Sequence, residues 1–177
     1  MSNSTWGLDP THSSLGFKIK HLMISNVTGN FAQYTVNVTG SDFETASIEV
    51  NIAVDSINTN NADRDGHLKS ADFFDMANFP SIVFKSTSMT KTSEGHYTLK
   101  GDLTIKDQTR SIELNAELGG MSKDPWGNEK IAFEVTGIVN RKDFGLTYNA
   151  ALETGGVLIG EDIKVIAEMQ FAKQATA

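Results

Sequence analysis

Apolar and polar residues alternate with a period of two along most of this chain, which restricts it to β-structure with one buried face. Over residues 46–54, Ala46, Ile48, Val50, Ile52 and Val54 share one side of an extended strand, and Ser47, Glu49 and Asn51 take the other. The same phase recurs over residues 97–105, 110–118, 131–139 and 163–171. Less regular strands are expected over 15–24, 31–38 and 82–89, the last starting after Pro80. That makes about eight strands, a number typical of closed or two-sheet all-β domains.

The connections are short and rich in turn residues: 26–30 (Asn-Val-Thr-Gly-Asn), 39–42, 93–95, 106–109 and 124–128. Antiparallel strands joined by hairpins remove their exposed edges most economically by closing into a barrel. At about eight strands a barrel interior is either filled by side chains or holds one small ligand. Alternation leaves both open, and a packed two-sheet sandwich with them. Gly101, Ser86 and Gly137 fall in phase with the inward residues, where small side chains would leave volume along the wall. Two segments break the pattern. Residues 61–77 read as a short helix, and 140–151 as an irregular stretch with a single helical turn after Arg141-Lys142-Asp143. The Gly119-Gly120 and Gly155-Gly156 pairs read as turns. The expected architecture is a single all-β domain over 1–177, an eight-stranded antiparallel barrel with one short helix.

Charge and composition narrow the function. The formal net charge of −7 repels phosphate backbones, so no nucleic-acid partner is expected. There is no cysteine, which removes disulfides and thiolate metal sites. No run approaches the ~20 apolar residues of a membrane-spanning helix. The opening Met1-Ser2-Asn3-Ser4-Thr5-Trp6 lacks the basic and apolar regions of a signal peptide. A cytoplasmic location is expected on that ground, or a periplasmic one if a signal peptide has been removed.

No enzyme motif is present: no Gly-x-Ser-x-Gly, no phosphate-binding glycine loop, no His-Glu-x-x-His. The histidines at 12, 21, 67 and 96 are not spaced as metal pairs, and no metal is expected. Residues 61–72 place oxygen ligands at positions one, three, five and twelve, as a calcium loop does. Asp72 stands where an EF-hand needs a bidentate Glu, however, and a strand precedes the loop instead of a helix. Asp63 and Asp65 fit a helix N-terminus better.

Five blocks together resemble the YceI-like family: residues 5–17 with Lys20-His21-Leu22, residues 60–75, Phe79-Pro80-Ser81-Ile82-Val83-Phe84, Gly101-Asp102-Leu103-Thr104-Ile105, and Asn140-Arg141-Lys142-Asp143-Phe144-Gly145. Asp107-Gln108 stand where the family often has glycine. The resemblance implies a lipocalin-like barrel with an elongated apolar interior, which binds a long-chain polyisoprenoid or similar amphiphilic lipid as carrier or store. It implies no cofactor other than a bound isoprenoid-type lipid, and leaves a homodimer open. On that reading Phe17, Ile19, Phe31, Phe84, Leu99, Phe133 and Val135 form the wall, and Phe73, Phe74 and Phe144 close an end. His21, Arg64 and Arg141 are candidates for a polar head group. Against this, each arginine has a structural reading: Arg64 paired with Asp65 or Asp72, Arg141 with Asp143. Two other functions stay open: a stress-response or structural barrel with a filled core, and an enzyme using His21 or His67 with a carboxylate as acid–base pair.

Overall fold

A computed structural model describes residues 4–21, 24–40, 42–147 and 159–173. The strands are β1 (Ser4–Leu8), β2 (Ser14–His21), β3 (Ser25–Phe31), β4 (Tyr34–Thr39), β5 (Ser47–Ala53), β6 (Ile57–Asn58), β7 (Ser81–Ser93), β8 (His96–Ile105), β9 (Gln108–Lys123), β10 (Glu129–Asn140) and β11 (Asp162–Lys173), with helix α1 (Ala62–Leu68) between β6 and β7. β1, β4, β5, β7, β8, β9, β10 and β11 pair in that order, and β11 pairs back to β1. The sheet is therefore a closed antiparallel barrel of eight staves. Among the described residues, no helix is long and apolar enough to cross a membrane.

Eleven strands make eight staves because the first three are each broken once. β1 and β2 form one stave: β2 pairs with the first half of β11 (Lys164 opposite Lys18) and β1 with its end (Phe171 opposite Leu8). β3 continues into β4, and β5 into β6, in the same way. The breaks bond across the gap. Ala32 N–H donates to Ser56 O at 3.1 Å and Ala53 N–H to Gln33 O at 3.0 Å. In the first stave the break is a 3-10 turn, Pro10–His12, capped by Asp9. Proline lacks the N–H a ladder needs and suits a first helical position.

Asp9 accepts from Thr11 N–H at 3.1 Å and Thr11 Oγ1 at 2.7 Å, and lies 2.8 Å from His12 Nδ1. The Thr11 hydroxyl, then His12, hold its carboxyl down at about 2 instead of the usual 3.8. A depressed folded-state pKa stabilises the fold above the ordinary value and loses that contribution as pH falls towards the folded one. The stability gap between the parent and Asp9→Asn is therefore expected to shrink as pH falls between about 4 and 2. Urea midpoints across that range check it, and a gap independent of pH would refute the assignment.

The structure corrects several expectations. Residues 26–30, expected as a turn, are strand: Gly29 pairs with Phe17 and Asn30 with both Gly16 and Asn58. The ladder to β2, with β6 on the other side at Asn30 and Phe31, overrides the turn propensity of Asn and Gly. Gly119 and Gly120 lie inside β9, at a register shift opposite Ala132 and Phe133, and form no chain reversal. The helix covers only Ala62–Leu68, and residues 70–77 are turns. Its N-cap is Asn61, which accepts from Arg64 N–H at 3.0 Å, with Asp63 and Asp65 in the first turn. The turn after Asn140 is a 3-10 helix, Arg141–Phe144. The rest of its expected irregular stretch, from residue 148, lies outside the described residues, as does Gly155-Gly156.

Gly101 and Gly137 do not leave room for a ligand. A Cβ on Gly101 would sit 2.5 Å from both the Phe84 ring and the Lys85 carbonyl, and one on Gly137 would collide with Leu114 Cδ2. Their missing side chains are replaced by neighbouring ones. Ser86 Oγ is likewise taken, accepting from Ile48 N–H at 2.8 Å. Gly101→Ala is expected to destabilise the barrel by about 1–3 kcal/mol through overpacking. Gly120→Ala, with nothing within 4 Å of the new Cβ, should stay within about 0.5 kcal/mol of the parent. Urea unfolding of the two variants tests the contrast.

Candidate ligand-binding cavity

The inward faces of the staves do not meet. They enclose a cavity of about 660 Å³. On β2 the inward residues are Leu15, Phe17 and Ile19, and on β11 they are Ile163, Val165, Ala167, Met169 and Phe171. An eight-stave barrel this wide fills only if large side chains cross its axis. Here they line the wall instead.

One end is closed by Phe43, from the connection between β4 and β5. Its ring centroid lies 5.3 Å from Trp6, 5.0 Å from Phe133 and 5.2 Å from Phe171. Sequence reasoning missed Phe43. Its one signal was a lone aromatic between Asp42 and Glu44, in a segment with no strand period to give it a face. The wall residues that are also exposed to solvent, Lys20, Asn61, Asp63 and His67, gather at the other end, around α1 and the end of β2. The cavity opens there, and α1 lies at the mouth.

Seven wall residues expected from the sequence reading, Phe17, Ile19, Phe31, Phe84, Leu99, Phe133 and Val135, lie on the cavity surface. Phe73 and Phe74 lie on it as well, near the mouth. Phe73 meets His67 edge-on at 5.0 Å, and Phe74 meets Phe31 edge-on at 6.4 Å. Phe144 is a correction: it is 1% exposed and is not on the cavity wall, so it closes no end. Its 3-10 turn ends at Gly145, in the left-handed region at φ 75°, which turns Phe144 into the core. His21 ends β2 opposite Ser25, and its side chain lies outside the described residues.

Both arginines line the cavity, and neither makes the ion pair expected for it. Arg64 Nε donates to Thr59 Oγ1 at 2.8 Å and its Nη2 to Thr59 O at 2.7 Å. Thr59, buried at 4% exposure, passes its own hydroxyl and N–H to Asp65. Thr59 thus relays Asp65 to Arg64 and fixes the guanidinium at the mouth. Asp72 bonds instead to His67, Nε2 to Oδ2 at 2.8 Å. Arg141 is held by backbone carbonyls: Nε to Gly160 O at 2.8 Å, Nη2 to Ile159 O at 3.4 Å, and Nη1 to Leu146 O. Burial pushes its guanidinium down from the ordinary value, and the field of Glu161 works the other way. Among the described residues, no three His, Cys, Asp or Glu side chains converge as a metal-binding group.

The family model of the YceI-like domain matches residues 6–171. The chain belongs to the YceI-like family. A UPF0312 protein of Staphylococcus aureus strain N315 is 44% identical over 175 residues, covering 97% of this chain and 98% of that protein. The crystal structure of a Campylobacter jejuni YCEI protein aligns with a TM-score of 0.76 at 34% identity, over 99% of this chain and 100% of that one. A polyisoprenoid binding domain from Saccharophagus degradans, implicated in plant cell wall breakdown, aligns at 0.75 with 15% identity, over 97% and 100% of the two chains. At that identity the likeness is one of fold. In this YceI-like barrel the family blocks at 60–75 and 140–145 coincide with the two arginine sites and the block at 79–84 begins β7, whereas the block at 5–17 begins at the closed end, where Trp6 meets Phe43.

Proposed function

We propose that this YceI-like barrel binds a long-chain polyisoprenoid or similar amphiphilic lipid in its interior, as a carrier or store, and that it does so without catalysis. The cavity carries the proposal. Its volume of about 660 Å³ falls within the ~300–1,000 Å³ of small-molecule sites. Its deep wall is aliphatic and aromatic, and its charged groups, except for the buried Arg141, stand at the mouth. Such a container suits a molecule with a long apolar tail and one polar end. Each methylene moved from water into it is stabilised by about 0.8 kcal/mol, with no chemistry required. The shared fold with a polyisoprenoid binding domain supports the same reading.

The rival of a filled structural barrel conflicts with the open interior. The rival of an acid–base enzyme has one pair in its favour, His67 with Asp72, yet the two side chains are 42% and 54% exposed. A pair so open to water lacks the water-excluding enclosure of an acid–base site. Native mass spectrometry of the protein purified from its host tests the proposal. A co-purifying lipid of several hundred daltons is the expected result. A protein that is always empty, and takes up neither farnesol nor a longer prenyl alcohol in vitro, would sink it.

A further inference from the structure

We propose that the outer face of β2 and β11 beside the cavity mouth is a docking surface for an anionic lipid bilayer. The inference rests on the reading of the cavity as a lipid site, because it supplies the route by which cargo would enter.

Since Phe17 and Ile19 face the cavity, Lys18 points outward from β2, and since Ile163 and Val165 do, Lys164 points outward from β11. The two lysines are directly opposite each other across the β2–β11 ladder. Like charges in that position destabilise a sheet, and neither lysine has an ion pair among the described residues. On the far side of Lys164, directly opposite it on β10, stands Ile138, 65% exposed. Further along β2, Lys20 is exposed at the rim of the mouth, and Ile24 follows at the β2–β3 connection with 83% exposure. Three lysines and two isoleucines thus form one strip leading to the opening. Unpaired cations interleaved with exposed aliphatics match a surface of anionic head groups over acyl chains.

The overall charge of −7 does not cancel this match. The acids nearest the strip are Asp63, exposed at the mouth with Lys20, Asp162, one register step from Lys164 towards the mouth, and Glu161, which is tied to Lys142 at 2.7 Å. The main carboxylates of this face, Glu168, Glu134 and Glu117, stand side by side in a row two register steps from the lysines, away from the mouth. At about 3.3 Å per residue that row is roughly 13 Å away, beyond a screening length of about 8 Å at physiological salt. Within a screening length the strip therefore presents Lys18, Lys20 and Lys164 against Asp63 and Asp162, a local excess of positive charge.

The full chain is mixed with sedimentable vesicles of phosphatidylcholine alone, and of phosphatidylcholine with phosphatidylglycerol. Binding is expected to the second only, to weaken as salt rises, and to fall at least about tenfold in Lys18→Glu/Lys164→Glu. Ile24→Ser is expected to weaken it at constant charge. Equal binding to both vesicles, or undiminished binding by the double lysine variant, overturns the proposal. Circular dichroism confirms that the variants fold. Farnesol uptake from solution, measured without vesicles, separates the two claims. A protein that takes up farnesol but ignores vesicles refutes the docking surface and leaves the cavity reading standing. One that binds vesicles but never takes up prenyl alcohols refutes the cavity reading.

Discussion

Replacing Ala167 with phenylalanine is expected to abolish uptake of long prenyl lipids while leaving the barrel folded. Ala167 is 3% exposed, faces the cavity from β11, and sits in register with Leu15 on β2 and Val135 on β10, both on the wall. It lies between the aromatic floor at Phe171 and the mouth, so a ring there cuts the cavity across its length. In a packed core such a change forces its neighbours apart and costs about 1–3 kcal/mol. Here the ring enters space that already exists, and the cost should sit at or below the low end of that range. The loss of affinity for a chain that needs the full depth should reach about a hundredfold, near 3 kcal/mol. Titration of a prenyl alcohol against parent and variant checks this. Unchanged affinity would show that the lipid does not pass Ala167.

The second large effect is on stability. Arg141→Met is expected to cost about 3–5 kcal/mol, because it removes a buried guanidinium that bonds the buried carbonyl of Leu146 and the half-buried carbonyl of Gly160. For a chain of this size that lowers the melting temperature by on the order of 10 °C. Lys142→Met is the control. It removes the same charge one residue along, but its partner Glu161 is 2.7 Å away at the surface, with the two side chains 49% and 47% exposed. Exposed pairs contribute about 1 kcal/mol or less. If thermal melts place the two variants together, the role given to Arg141 as the tie between the turn at 141–146 and the start of β11 is wrong.

Much of the barrel was legible because period two is a strong signal. β8, β9, β10 and β11 each contain the alternating stretch expected for them, and β5 falls one residue short of it at either end, Val54 opening a 3-10 turn. The broken staves were harder. β1 is five residues long, and its pairing with both β4 and β11 is set by tertiary closure rather than by local pattern. β3 reads as a turn because Asn26, Gly29 and Asn30 favour one, and only its long-range ladder to β2, joined by β6 at its end, makes it a strand. The glycines at 101 and 137 show a different limit. Alternation assigns a residue to a face but does not tell whether a missing side chain leaves a hole or admits a neighbour's ring. The hollow interior is of the same kind, and in the sequence it rested on the family resemblance. For Arg64 and Arg141 the sequence offered the nearest acids as partners, whereas the fold supplies a threonine and a set of carbonyls.

The pairing of β1 with β11 also sets the order of events in the life of the molecule. These strands stand some 165 residues apart in the chain, and their ladder (Trp6 opposite Lys173, Leu8 opposite Phe171) is the seam that closes the ring. Contacts so distant in sequence are slow to form. Phe171 also belongs to the floor under Phe43, so the container has neither a sealed wall nor a bottom until β11 docks. During synthesis the inward faces of ten earlier strands wait, exposed, for that last stave. If the barrel holds lipid as proposed, loading follows completion of the fold, and variants that slow the docking of β11 should aggregate during expression even where the finished barrel is stable.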